Sequence, residues 1–377
     1  MTVAVRYQQI VMQSDVLIRL LKRVGDAYAK KNHIPVFTGI LVEAVGQTLI
    51  MTASNGTHTV ETKEEDALRY STTGKFLVPA RLFIDICNKL ASCTSEVCIT
   101  NRDHAIVIQS GSGSISYEVN TMPHDLFTNV IESALVQSFS VDPKRLLRAF
   151  QSVEYAAATS DIRAILNAVC LSGDGKTMQL VALDSHRFAG NTCELLSEAF
   201  AFSNVVLPLD AVKILMKLLE QTNQTVEVQL HSKDVSFVVG ATTFQTKVIE
   251  GTYVDTSKLI PVNSTTEVVL NRKELADAVD RCSIVIDKQE QPLVVLDIKS
   301  GQIPTLGIRN THAKDSLFLV KFEGNEVCIR VHAKHLLEAI QQMQSQEIIL
   351  SLNGEKAALV ARPVNGDCCA VIMARKL

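Results

Sequence analysis

The chain reads as an α+β protein built from three tandem, alike domains, each with two helices packed on antiparallel sheets. Two sets of recurring helix openings and a regular supply of hairpin turns carry that reading. The first set is Ser14-Asp-Val-Leu-Ile-Arg-Leu-Leu, Asp142-Pro-Lys-Arg-Leu-Leu-Arg-Ala-Phe and Asn271-Arg-Lys-Glu-Leu-Ala-Asp-Ala-Val, whose starts lie 128 and 129 residues apart. The second is Val78-Pro-Ala-Arg-Leu-Phe-Ile-Asp-Ile-Cys, Leu207-Pro-Leu-Asp-Ala-Val-Lys-Ile-Leu-Met and Val331-His-Ala-Lys-His-Leu-Leu-Glu-Ala-Ile, at intervals of 129 and 124. A period this long marks repeated domains rather than a solenoid. We place the domains at 1–135, 136–261 and 262–377.

Each first-set opening begins with a residue able to cap a helix. Asn271 has Glu274 at capping-box spacing, and Asp142 is followed by Pro143, a favourable first helical residue. The helices are amphipathic: Leu146, Leu147, Phe150 and Val153 share one side, opposite Lys144, Arg145, Arg148 and Gln151. Alternating stretches such as Glu96-Val-Cys-Ile-Thr, Thr225-Val-Glu-Val-Gln-Leu and Glu347-Ile-Ile-Leu-Ser-Leu predict strands. Ser110-Gly-Ser-Gly-Ser, Ser172-Gly-Asp-Gly, Asn353-Gly and Asn365-Gly-Asp predict the turns between them. Each third should hold two helices and about eight short strands.

The 377 residues contain no tryptophan, so aliphatic side chains must fill the cores. The start of the chain lacks the pattern of a secretion signal, and no apolar run reaches membrane-spanning length, so a cytoplasmic protein is expected. The nine cysteines are scattered without a CxxC pair and read as buried thiols, with no metal site.

The net charge of −3 argues against bulk attraction to nucleic acid, but its distribution does not. Six helix windows hold sixteen basic and eleven acidic residues, leaving the remainder of the chain acidic. Helices gathered on one surface would make that surface positive on an acidic protein, which suits non-specific phosphate attraction.

No catalytic constellation emerges. Asp184-Ser185-His186 has the residue types of a hydrolytic triad, yet consecutive residues on a strand alternate and cannot converge. Gly173-Asp-Gly-Lys-Thr177 lacks the first glycine of a phosphate loop, since Cys170 stands there, and reads as a hairpin turn. His332 and His335 are three apart without a further ligand in the sequence. The chain is expected to be no enzyme and to need no cofactor.

Several stretches are specific. Ala158-Thr-Ser-Asp-Ile-Arg-Ala-Ile-Leu-Asn167, Val181-Ala-Leu-Asp-Ser-His-Arg-Phe-Ala189, the Val78 segment and Val248-Ile-Glu-Gly-Thr-Tyr-Val-Asp255, in this order, resemble the bacterial DNA polymerase III beta subunit family, the beta sliding clamps, from end to end. The resemblance implies the DNA clamp fold, with two subunits joined head to tail as a ring around duplex DNA, helices inside. It implies partners in the DNA polymerase catalytic subunit, the clamp loader, repair and other polymerases, and no membrane. Lys30, Lys31 and Ser160 match DNA-contacting positions, and the basic residues Lys144, Arg145 and Arg148 would add to the field.

The family's peptide pocket takes short segments with a glutamine, then leucine and often phenylalanine. Its matching positions here are Leu166, Leu183, Ser185, His186, Arg187, Phe188, Val254, Lys258 and Leu259, with Val371, Met373, Ala374 and Arg375 near the end of the chain. A glycine is usual at Ser185, a proline at Val254 and an apolar residue at Arg375, so one subpocket is expected to differ. Tyr117 and Val119 match the dimer interface of domain one, and Ile284 and Val285 that of domain three.

Overall fold

A computed structural model describes residues 8–375 except 71, 103, 128–132, 257, 262, 285–291, 300–304 and 308–313. The first third folds as β1 (Gln8–Gln13), α1 (Ser14–Val24), β2 (Gly39–Gly46), β3 (Thr48–Ser54), β4 (His58–Glu64), β5 (Thr72–Pro79), α2 (Ala80–Ala91), β6 (Glu96–Arg102), β7 (Ala105–Ser110) and β8 (Ser116–Asn120). The middle third repeats that order: β9 (Leu135–Val141), α3 (Pro143–Glu154), β10 (Ala168–Gly173), β11 (Thr177–Leu183), β12 (Arg187–Glu194), β13 (Phe202–Pro208), α4 (Leu209–Glu220), β14 (Val226–His231), β15 (Asp234–Val239) and β16 (Thr242–Lys247). The last third opens with β17 (Thr266–Asn271), α5 (Arg272–Ser283), β18 (Leu293–Ile298), β19 (Thr305–Gly307) and β20 (Lys314–Ser316). It adds a strand, β21 (Leu319–Gly324), and then resumes with β22 (Val327–His332), α6 (Ala333–Gln342), β23 (Glu347–Leu352), β24 (Leu359–Pro363) and β25 (Cys369–Ile372).

Contact density divides the chain into two units, residues 1–143 with 217–248, and residues 144–216 with 249–377. The middle third is shared because its strands are hydrogen-bonded into its neighbours' sheets. In the first unit one sheet runs β1-β6-β7-β8 and a second runs β5-β2-β3-β4-β16-β15-β14-β9. The β4–β16 ladder sets Val60 against Phe244, and the buried Thr62 and Thr242 hydroxyls meet at 2.8 Å. In the second unit a nine-stranded sheet runs β13-β10-β11-β12-β25-β24-β23-β17-β21, and a shorter one runs β20-β19-β18-β22.

The predicted turns fall where expected. Ser110–Ser114 links β7 to β8, Asn353-Gly precedes β24, and Asn365-Gly-Asp precedes β25. In the Gly173–Thr177 hairpin Gly175 takes φ +102°, and Asp174 Oδ1 accepts from the amides of Lys176 and Thr177 at 2.9 and 2.7 Å. Helix starts are more varied. Asn271 Oδ1 caps α5, accepting from the amides of Lys273 and Glu274 at 2.9 and 3.1 Å. Ser14, expected as a cap, is the first residue inside α1; the capping position falls to Gln13, whose side chain makes no capping bond.

The cores are aliphatic with phenylalanine at their centres, including Phe76, Phe83, Phe139, Phe150, Phe237 and Phe244. Five of the nine cysteines are buried as expected; Cys328, Cys368 and Cys369 are half-buried and Cys93 is exposed. Among the described residues no helix is long and apolar enough to cross a membrane.

Candidate functional site

The β11–β12 hairpin organises the candidate pocket. Asp184 Oδ1 accepts from the amides of His186 and Arg187 at 2.7 and 2.9 Å, and Oδ2 accepts from Arg187 Nε at 3.0 Å. Asp184-Ser185-His186 is therefore a turn rather than the strand assumed from sequence. The triad reading fails for a different reason: the carboxylate is committed to two amides and a guanidinium, the habit of aspartate in turns.

From this turn β12 runs antiparallel to β25, with Arg187 opposite Ile372 and Phe188 opposite Val371. Beyond β25, the Met373 amide donates to the His186 carbonyl and the Arg375 amide to the Arg330 carbonyl, both at 2.9 Å. The C-terminal segment is thus stitched beside the turn. Beneath it, Leu166, Leu183, Phe188 and Val371 pack in one buried cluster with Tyr253 and Val360. Val254, Leu259 and Met373, each next in the chain to a residue in or against that cluster or of β25, are 37 to 47 % exposed. Ser185, His186 and Lys258 are exposed, and Ala374 and Arg375 are half-buried. A buried apolar floor beside partly exposed apolar side chains with a few polar groups is what binding a short peptide needs.

A charged knot adjoins the floor. The Arg187 guanidinium is only 10 % exposed, bonds both Asp184 and Glu338 of α6, and lies 5.6 Å from the Tyr155 ring centroid. The His332 and His335 rings stack at 4.1 Å, and His186 lies 6.4 Å from His335. The sequence placed His332 and His335 without company; the fold supplies His186 from a turn distant in sequence, which no local spacing signals. Burial first, then the cations Arg187 and neighbouring groups, pushes His335 down to about 3. Burial and Arg375 lower His332 as well.

Loop 158–167 is tied by Asn167, whose Nδ2 donates to the Asp161 carbonyl at 2.9 Å and whose Oδ1 accepts from the Asp161 amide at 3.1 Å. It presents Ser160 and a fully exposed Ile162. Lys144, Arg145 and Arg148 are exposed on α3, above buried Leu146, Phe150 and Val153. Lys30 and Lys31 are exposed in the loop after α1. Several helix cations counted from sequence are answered by carboxylates beside them. Arg19 and Arg23 meet Glu64 at 2.7 and 3.6 Å, Lys217 meets Asp26 at 2.8 Å, Arg281 meets Asp315 at 2.7 Å, and Arg145 bonds Glu194. The open positive charge is smaller than the helix count suggests, because Glu64, Glu194 and Asp315 lie outside the counted helix windows; Asp26 was already in the count. A cavity of about 430 Å³ in the second unit is lined by Arg145, Arg148, Ser152, Asn191 and Gln342 among others, and by none of the pocket residues.

At the candidate interface, β8 is an edge strand. Tyr117 is 39 % exposed, but Val119 is 3 % exposed and faces its own core, opposite Ile106, so Tyr117 alone of the pair offers surface. Ile284, at the end of α5, is 79 % exposed; Val285 lies outside the described residues. Leu82 on α2 and Phe318 beside β21 are also exposed apolar residues, at 48 and 72 %, that the sequence reading passed over.

The DNA polymerase III beta subunit family matches the chain in three consecutive pieces: its N-terminal domain over residues 8–130, central domain over 140–255 and C-terminal domain over 257–376. The chain belongs to this family. The beta sliding clamp of Bacillus subtilis is 26 % identical over 369 residues, covering 94 % of this chain and 96 % of that one. The clamp of Haemophilus influenzae is 25 % identical over 364 residues, covering 96 and 98 %. The crystal structure of the Bacillus subtilis DNA polymerase sliding clamp superposes with a TM-score of 0.92 at 23 % identity, covering 98 % of this chain and all of that one. A Pseudomonas aeruginosa sliding clamp bound to griselimycin superposes with a TM-score of 0.91 at 21 % identity, covering 98 and 100 %.

This clamp is therefore a non-catalytic accessory of DNA replication. Several features of it were out of reach of sequence spacing. The His332 and His335 pair and Tyr253 reach the candidate pocket residues through tertiary packing, and Glu338 does so through Arg187.

Proposed function

We propose that this sliding clamp works as a head-to-tail homodimer closed around duplex DNA, and that it tethers polymerases, clamp loader and repair proteins through peptides seated between the β11–β12 turn and the C-terminal segment. One observation carries the closure. Two sheets continue across domain junctions, and each uses the same two kinds of edge. The end of a β2-β3-β4 or β10-β11-β12 run meets the end of a strand set entered through the second helix, giving β4–β16 and β12–β25. One edge of each kind is left: β20 in domain three and β8 in domain one. Pairing β20 of one copy with β8 of another would make an eight-stranded sheet like that of the first unit. Unpaired strand edges favour such addition.

Encirclement makes tight base contacts unnecessary, so exposed Lys30, Lys31, Lys144, Arg148 and Ser160 suffice as weak phosphate contacts, with Arg145 a weaker contributor beside Glu194. The pocket supplies specificity through the floor of Leu166, Leu183, Phe188 and Val371. The test is sedimentation. The wild-type chain should run as a dimer of 41.3 kDa subunits, and Ile284→Ala with Val285→Ala should run as a monomer. Intact dimers in the double variant would remove the interface assignment.

A further inference from the structure

Arg187 stands where two pieces of the pocket meet. Its backbone belongs to β12, beside the floor residue Phe188, while its side chain reaches α6. Nε is held by Asp184 Oδ2 at 3.0 Å, and Nη1 by Glu338 Oε2. The other Glu338 oxygen, Oε1, faces Lys334 at 3.7 Å on the exposed side of α6. One guanidinium, nearly out of water, thus joins the turn carrying Ser185 and His186 to the helix that follows His332 and carries His335. Charge-assisted bonds of this kind fix geometry more firmly than neutral ones, and their worth rises as water is excluded.

We propose that Glu338 is a positioning residue for peptide capture. It acts through Arg187, holding the β11–β12 turn, and with it the His186 carbonyl that receives the Met373 amide, against α6. Glu338 itself need touch no peptide. Without its carboxylate, Arg187 keeps Asp184 and the Tyr155 ring, and the turn is held by its own hairpin and by β25 but no longer by an ion pair to α6, so the place of the C-terminal segment beside it is less firmly set. A pocket that must be ordered on binding has a lower affinity than one already in place. This role rests on the peptide-pocket reading.

The experiment uses the full-length protein and a fluorescein-labelled synthetic peptide with glutamine, leucine and phenylalanine at the family's spacing, read by fluorescence anisotropy. Glu338→Gln keeps the shape and removes the charge; it should weaken binding roughly tenfold, in line with loss of a hydrogen bond to a charged group. In an Arg187→Gln background the same substitution should change binding less than twofold, because its effect passes through Arg187. Lys334→Ala, which removes only the exposed pair, should leave affinity within about twofold. Should Glu338→Gln melt well below the wild type, Glu338→Asp serves instead and should give an intermediate loss. Wild-type affinity in Glu338→Gln, or an equal loss with and without Arg187, would overturn the role while leaving the pocket intact. A wild-type chain that ignores the peptide would overturn the pocket reading and this role with it.

Discussion

Arg187 and His335 show how a few buried polar groups set the behaviour of the pocket. Each imidazole of the stacked pair keeps a buried Nδ1 without a hydrogen-bond partner, beside Arg187 and Arg375. Both resist protonation in the folded chain, His335 down to about 3, whereas in the unfolded chain they take up protons near pH 6.5. The unfolded state then binds more protons below that pH, so stability should be full above it and fall steadily as pH drops toward about 3. Thermal melts from pH 7.5 to 4.5 should show the decline, and His335→Gln should flatten it; identical slopes in the two proteins would contradict the assignment. Met373 offers a sharper separation of site from core. At 47 % exposed it contributes little to folding, so Met373→Ala should leave the melting temperature unchanged and weaken peptide binding severalfold. Isothermal titration with an unaltered affinity would take Met373 out of the site. Arg375 is half-buried, and its cation opposes protonation of His332.

At the level of elements, local chemistry was readable and company was not. The Asn271 cap, the Asp174 hairpin and the strand alternations of β6, β14 and β23 follow from residue types acting within a few positions. Asn271→Ala should therefore cost about 1 kcal/mol, measured as a shift of the denaturant midpoint. The Asp-Ser-His turn was misread as strand because alternation cannot register that an aspartate folds back on the next amides. The candidate pocket's apolar floor rests on resemblance; without it, Leu166 and Val371 look like any core residues. Edge strand β8 gives a prediction of its own. The Ser110 amide bonds the Ile115 carbonyl at 3.0 Å and the Thr121 amide bonds the His104 carbonyl at 2.9 Å, so odd positions of β8 point to β7. Even positions, Glu118 among them, turn outward. Glu118→Pro should spare the fold and weaken the dimer at least tenfold, since proline is tolerated on an edge but cannot donate there. A sedimentation profile matching wild type would argue against β8 as the joining edge.

For the whole molecule, the net charge of −3 is reconciled with DNA through placement and topology rather than through attraction. Ion pairs such as Arg19–Glu64 and Lys217–Asp26 soften the helix charge, leaving a weak field. A weak field suits an encircling subunit that must slide, and it would serve an ordinary DNA-binding protein poorly. The three alike domains were legible as a long-period repeat, but the sharing of the middle domain between two sheets was not, because hydrogen bonding across a junction leaves no periodic mark. The direct test is to load the protein onto nicked circular DNA with a clamp loader and ATP, and then to linearise the circle. Retention on the circle and release on cutting is the predicted result; equal retention on both forms would contradict encirclement.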